Sequence, residues 1–294
     1  MRGFVLITGA RSGIGRATAL HLDSLGFAVI ATDLPGADAE GLAREASGRL
    51  ASVDLDVTDA DSIAAAAERA AEISAGAGLA GLVNNAGIAI GGPLEHLPLE
   101  DFRHQLEVNL VGPLAVSQAM LPLLRDGRGR VVNITSLAGR VGAPFLGAYA
   151  ASKHGLEGLS ASLRAELRPW GIQVSAVEPG LLRSSIYETS LGRFRSLRGR
   201  LPEHAERDYG EVFGAQEPGM DRLQRLALSP DRAAKAVAKA LTAKRPRARY
   251  LVGPDARMSI ALHTLAGPRA QERTTMAIMG SPRRWRRGGP PPPG

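Results

Sequence analysis

Two rhythms of apolar residues alternate along the chain. Short continuous apolar runs at 4–8, 27–32, 50–55, 79–83, 130–135 and 172–177 have the length of strands covered on both faces. The intervening stretches 14–25, 37–46, 59–74, 99–124 and 148–167 instead gather their apolar residues on one helical face, as Ile14, Ala17, Leu22 and Leu25 do in the first. Thr58 and Asp61 form a capping box for the third helix, and Pro169 and Gly171 punctuate the end of the fifth. Beyond residue 180 the rhythm stops for about 45 residues. Ser229 as N-cap and Pro230 at the first helical position then open a helix to 243, and 250–252 reads as a last strand.

Such strict alternation requires right-handed crossovers and a parallel sheet with helices on both faces, with ligands bound at the carboxyl ends of the strands. The expected architecture is therefore α/β: one doubly wound, Rossmann-type domain over 1–267. A long segment without regular structure inside such a domain is usually a lid, so 183–228 is expected to cover substrate.

Charge and composition change this picture only at its edges. Six arginines and one glutamate in 268–294 account for five of the net +7, so the body of the chain is nearly neutral and no nucleic-acid partner is expected. The run of prolines and arginines at the end of that segment predicts a disordered tail. The chain has no cysteine, which excludes disulfides, thiolate nucleophiles and thiolate-bound metals and fits a reducing compartment. No apolar run approaches the ~20 residues of a bilayer span, and the first strand leaves no room for a signal peptide. A cytoplasmic protein without integral membrane association is expected. The histidines and carboxylates lack metal-ligand spacing, so no metal is expected.

Chemistry enters at the first turn. Gly9, Gly13 and Gly15 lie between the first strand and first helix, where a backbone free of side chains can approach a pyrophosphate at a helix N-terminus. Asp33 ends the second strand and is placed to accept hydrogen bonds from ribose hydroxyls. A carboxylate there repels a 2′-phosphate, which favours NAD, while Arg11 in the glycine loop could offset that repulsion and keeps NADP as the alternative.

Tyr149 and Lys153 stand four apart at the start of a helix, so both project from one face. A phenol with pKa near ~10 is a poor base, and a neighbouring ammonium would favour the phenolate. The same spacing also describes an ordinary surface pair. Ser136 follows the fifth strand, where its hydroxyl can meet the substrate oxygen that exchanges a proton with Tyr149; it can equally be a loop serine. Pro113 has no N–H to return to the carbonyl of Asn109, so a kinked helix could either hold a water relay to Lys153 or be a structural bend.

Together these residues resemble the short-chain dehydrogenase/reductase (SDR) family, over about residues 3–253. Thr8 to Gly15 matches its TGxxxGxG cofactor motif, with Arg11, Ser12 and Ile14 inside it. Asn84-Asn85-Ala86-Gly87 matches NNAG, and Asn109, Ser136, Tyr149 and Lys153 match its catalytic tetrad. Asp56 and Val57 resemble the pair that contacts adenine. Pro179, Gly180, Leu182 and Ser184 resemble PGxxxT, with serine replacing threonine beside the carboxamide. The resemblance implies that Lys153 also binds the nicotinamide ribose, and that the protein is a homodimer or homotetramer.

The apolar loop between Ser136 and Tyr149, with Leu137, Val141, Phe145 and Leu146, points to a small hydrophobic alcohol or ketone substrate. The stretch from Arg249 to Asp255 resembles the steroid- and retinol-dehydrogenase-like branch. Within the expected lid, Ile186, Phe194 and Leu197 alternate with Arg193, Arg195 and Arg198, a pattern compatible with an amphipathic helix. Two other functions share the motifs: an acyl-thioester ketoreductase, and a non-catalytic dinucleotide sensor.

Overall fold

The computed structural model describes residues 2–36, 40–183, 185–279 and 281. Strands β1 (Phe4–Thr8), β2 (Ala28–Asp33), β3 (Leu50–Asp54), β4 (Leu79–Asn84), β5 (Arg130–Ile134), β6 (Gln173–Pro179) and β7 (Arg249–Val252) form one sheet in the order β3-β2-β1-β4-β5-β6-β7. Every pairing is parallel, with Val5 opposite Val29 and Leu82 opposite Val131. The strand order reverses at β1, and this switch point lies between β1 and β4, where α/β sheets bind ligands. The doubly wound fold expected from the alternation is the one observed.

Eleven helices occupy the described residues: α1 (Gly13–Ser24), α2 (Glu40–Glu45), α3 (Ala60–Ser74), α4 (Leu99–Leu106), α5 (Gly112–Asp126), α6 (Gly147–Glu166), α7 (Ser185–Arg198), α8 (Glu203–Leu226), α9 (Asp231–Thr242), α10 (Pro254–Ala266) and α11 (Pro268–Ile278). The core has two layers because each strand points alternate residues to opposite faces. Val5, Ile7, Val29 and Val132 pack with Leu22 of α1 and Val237 of α9. Leu6, Ile30, Leu82 and Val131 pack on the other side with Ile63 of α3, Met120 of α5 and Leu163 of α6.

Several local expectations change. The expected helix over 99–124 is split by a π turn, Glu107–Val111, upstream of Pro113. Thr58 does not cap the third helix; Asp59 does, accepting from the Asp61 amide at 3.0 Å, while Thr58 bonds Asp56. Pro230 rather than Ser229 is the N-cap of α9, and the Ser229 hydroxyl accepts from the Asp231 amide.

The expected irregular lid consists of two helices, α7 and α8. Their apolar positions, Phe194, Leu197, Val212 and Phe213, are buried, and the amphipathic pattern expected around Phe194 and Leu197 is that of α7. Both ends of this excursion are tied together by a bridge between Leu182 and Leu228, with the Arg183 amide donating to the Leu228 carbonyl at 2.9 Å. The segment assigned to the tail begins as helix α11, which packs on α10 through buried Gln271. Residues 282–294 lie outside the described residues.

By length and composition, Leu99–Asp126 is the one helical stretch among the described residues that could cross a membrane. Val116, Met120 and Leu124 on it are fully buried in the core layer with Leu82 and Ile63.

Candidate active site

A cleft of about 460 Å³ runs along the carboxyl ends of the strands. Asp33 with Arg11, and Asp56 with Val57, line it at the β2–β3 end; Ser136, Tyr149, Lys153, Pro179, Gly180 and Leu182 line the β5–β6 end. Between them lie Gly9, Ser12, Gly13 and Ile14 at the start of α1, and Asn85, Ala86 and Gly87 after β4. Ser184 lies outside the described residues.

The glycine turn is built by close approach. Gly9 has φ +64°, and a Cβ on it would come within 2.9 Å of the Ala86 Cα. Gly15 does not line the cleft but sits behind it, where a Cβ would overlap the Gly9 carbonyl and lie 2.5 Å from the Asn85 amide nitrogen. That amide clamps the turn by donating to the carbonyls of Thr8 and Gly9, each at 2.9 Å. Thr8 answers through its hydroxyl, which accepts from the Asn85 and Ala86 amides, again at 2.9 Å. The turn and the loop after β4 are thus one hydrogen-bonded unit, and its floor is free of side chains.

Asp33 is held from below. Its Oδ2 accepts from the Arg11 amide at 2.9 Å and its Oδ1 from the Leu34 amide at 3.0 Å, so two backbone donors fix an anion at the cleft edge.

At the other end the Ser136 hydroxyl hydrogen-bonds the Tyr149 phenol, and burial pushes that phenol above its ordinary value while the serine bond opposes the rise. This corrects the expectation that Lys153 pulls the phenol down. The lysine is itself buried, which lowers its ammonium to about 8. Its nitrogen donates to the Ile134 carbonyl at 2.9 Å and lies 5.8 Å from the centre of the Tyr149 ring. Desolvation, rather than the pair's mutual charge, sets the protonation of both groups.

Asn109 is fully buried within the π turn, and its side chain bonds the backbone of Ile88 in both directions, at 2.9 Å each. It also donates to the Ser152 hydroxyl, which donates in turn to the Tyr149 carbonyl.

Of the residues in the apolar loop, neither Leu137, Val141, Phe145 nor Leu146 lines the cleft. Phe145 is interior instead, with its ring 5.9 Å from Phe213 and 6.0 Å from Tyr209 of α8. Sequence reasoning missed the structural part of Thr8, although it stood inside the glycine motif. Ile186 and Arg193, which the sequence placed in the expected lid, line the cleft from α7, together with Thr189, which sequence reasoning missed. The interval of three and four between those positions was the available signal.

The parallel sheet with its switch point, the glycine turn and the Ser-Tyr-Lys set define the class, and the family model described as "short chain dehydrogenase" matches residues 3–191: the chain belongs to that family. It falls in the retinol and hydroxysteroid dehydrogenase branch. It is 44% identical over 261 residues to human "Retinol dehydrogenase 5", covering 87% of this chain and 82% of that protein. It is 40% identical over 262 residues to human "17-beta-hydroxysteroid dehydrogenase type 6", covering 86% and 81%. Among solved structures, a "short chain dehydrogenase/reductase SDR from Burkholderia phymatum in complex with NAD" superposes with a TM-score of 0.74 at 27% identity, covering 90% of this chain and 96% of that one. The protein is accordingly an oxidoreductase acting on CH–OH groups.

Proposed function

We propose that the protein interconverts a secondary alcohol and a ketone, or an alcohol and an aldehyde, on a steroid- or retinoid-like substrate, with NAD(H) as its cofactor. The observation that carries this reading is one cleft holding a side-chain-free turn, a fixed carboxylate at one end and the hydrogen-bonded Ser136–Tyr149 pair with Lys153 at the other.

The residues fit a dinucleotide. The turn at Gly9 and Gly13, both at positive φ, brings backbone amides to the start of α1 and admits the pyrophosphate. Asp33, with both oxygens already oriented, accepts from the adenosine ribose hydroxyls and repels a 2′-phosphate, which supports NAD over NADP. Asp56 and Val57 border the adenine, and Pro179, Gly180 and Leu182 border the nicotinamide. The bound dinucleotide supplies the hydride acceptor or donor.

The protein's part is to position and to move a proton. The phenol of Tyr149, kept neutral by burial, donates its proton to a carbonyl oxygen held by the Ser136 hydroxyl. In the opposite direction Tyr149 must first lose that proton so that it can accept the alcohol's. Ile88, Leu182 and Ile186 line the same cleft and give a substrate an apolar wall. The relatives named retinol and hydroxysteroid dehydrogenases support a substrate of that chemistry.

The test is turnover by purified protein with NAD(H) and NADP(H) across steroid and retinoid alcohols and their carbonyl counterparts, beside Tyr149→Phe. Turnover that disappears in the variant while NADH still binds is expected. NADH binding without turnover on any substrate overturns the enzyme reading in favour of a sensor, and turnover confined to carrier-bound acyl thioesters overturns the substrate class.

A further inference from the structure

Helix α7 contributes Ile186, Thr189 and Arg193 to the cleft wall, three positions on one helical stripe. The Nη1 atom of Arg193 is removed from solvent and has no hydrogen-bond partner among the described residues. Desolvating a guanidinium N–H without a partner is costly, so a group this placed calls for an anion that the protein itself does not supply.

The cleft's two carboxylates and its lysine are already engaged elsewhere. Asp33 is held by the amides of Arg11 and Leu34, and Asp56 Oδ1 accepts from the amide and hydroxyl of Thr58. Lys153 is tied to the Ile134 carbonyl at the Tyr149 end. The stretch between these ends, at the start of α1, offers backbone dipoles and Arg11, whose amide already serves Asp33. Arg193 is two turns, about 10 Å, along α7 from Ile186. An anion with two negative charges lying along the middle of the cleft is the natural partner.

We propose that Arg193 pairs with the pyrophosphate of the bound dinucleotide, so that the lid helix closes over a filled cofactor site. The proposal rests on the dinucleotide reading above. It gives the lid a reason to follow cofactor binding: the ion pair forms only when the phosphates are present, and its formation seats Ile186 and Thr189 over the cleft for the substrate that comes next.

The experiment measures affinity without turnover. NADH is titrated by its fluorescence, and ADP-ribose and adenosine are measured by displacement, on wild type, Arg193→Gln, Arg193→Lys and the neighbouring Arg195→Gln. Losing a charge-assisted pair predicts ~10- to 100-fold weaker NADH and ADP-ribose binding in Arg193→Gln. Lysine restores part of it, and adenosine affinity and Arg195→Gln stay at the wild-type level. Hydrogen exchange adds a second readout: NADH slows exchange along α7 in wild type and fails to do so in Arg193→Gln. ADP-ribose binding within about twofold of wild type in Arg193→Gln overturns the inference, and a higher KM for an acidic substrate alone would move the arginine to substrate recognition. An equal loss for adenosine overturns it as a general distortion. Wild-type protein that binds neither NADH nor ADP-ribose overturns the dinucleotide reading itself.

Discussion

Thr8→Val isolates the joint between the glycine turn and the loop after β4. Thr8 is 2% exposed, and valine fills the same space without the hydroxyl. The amides of Asn85 and Ala86, each 2.9 Å from the Thr8 Oγ1, would then face a methyl group. An orphaned buried N–H costs about 1–3 kcal/mol, and since both residues are only partly buried the lower part of that range applies to each, about 2–3 kcal/mol together. At about 2 °C per kcal/mol for a chain of this size, Tm should fall by about 4–6 °C. The Asn85 side chain also clamps the Thr8 and Gly9 carbonyls, so NADH affinity should weaken with stability. Thr8→Ser returns the acceptor and should recover most of both. Calorimetry and NADH titration on the three proteins decide it. A valine variant melting within about 1 °C of wild type, or a serine variant no better than valine, refutes the account.

Three further outcomes follow from the charges. Asp33→Ala removes the anion that opposes a 2′-phosphate, so the ratio of kcat/KM for NAD over NADP should drop by about 10-fold or more; an unchanged ratio refutes the electrostatic basis of the preference. Because the Lys153 ammonium is lowered to about 8, the profile of kcat/KM for the dinucleotide against pH should bend near pH 8, and a flat profile between about 7 and 9 contradicts it. Glu178 on β6 is fully buried, 3.2 Å from Arg249 and 3.6 Å from Arg140, yet burial and the nearby Glu157 raise its carboxyl above the usual 4.5. Between 4.5 and that raised value the folded state keeps a proton that the unfolded state has lost, so this group makes stability fall as pH rises. Urea titrations of Glu178→Gln should lack that decline, and parallel pH curves for variant and wild type would rule it out.

The alternation of strands and helices, the helix-covered sheet and most of the cleft's contents were legible because each rests on a local signal. Continuous burial on both faces shows in runs such as Val5 to Ile7, and the glycine spacing announces a turn that only a missing Cβ permits. What was not legible depends on tertiary partners. Lid helices α7 and α8 bury Phe194, Leu197 and Phe213 against Phe145 and Ile90, residues distant in sequence. The protonation of Tyr149 and Lys153 likewise followed from enclosure, which spacing along a helix does not report.

The π turn is the clearest case of sequence and site explaining each other. The segment after β4 from Ile88, which lines the cleft, to Ile90 pairs with no strand among the described residues, and its buried backbone groups need partners. Gln105 accepts from the Ile90 amide at 2.7 Å and donates to the Ile88 carbonyl at 2.9 Å; Asn109 takes up the Ile88 amide and shares its carbonyl. The two amide side chains stand four apart, on one helical face, and act together as a substitute strand edge. Asn109 is therefore committed through both ends of its carboxamide, and the only chemistry left to it is to hold the wall and, through Ser152, the backbone of Tyr149 in register. Asparagine is mildly unfavourable in mid-helix, and Asn109 is accounted for there by that wall; any part it plays in proton transfer must run through its backbone.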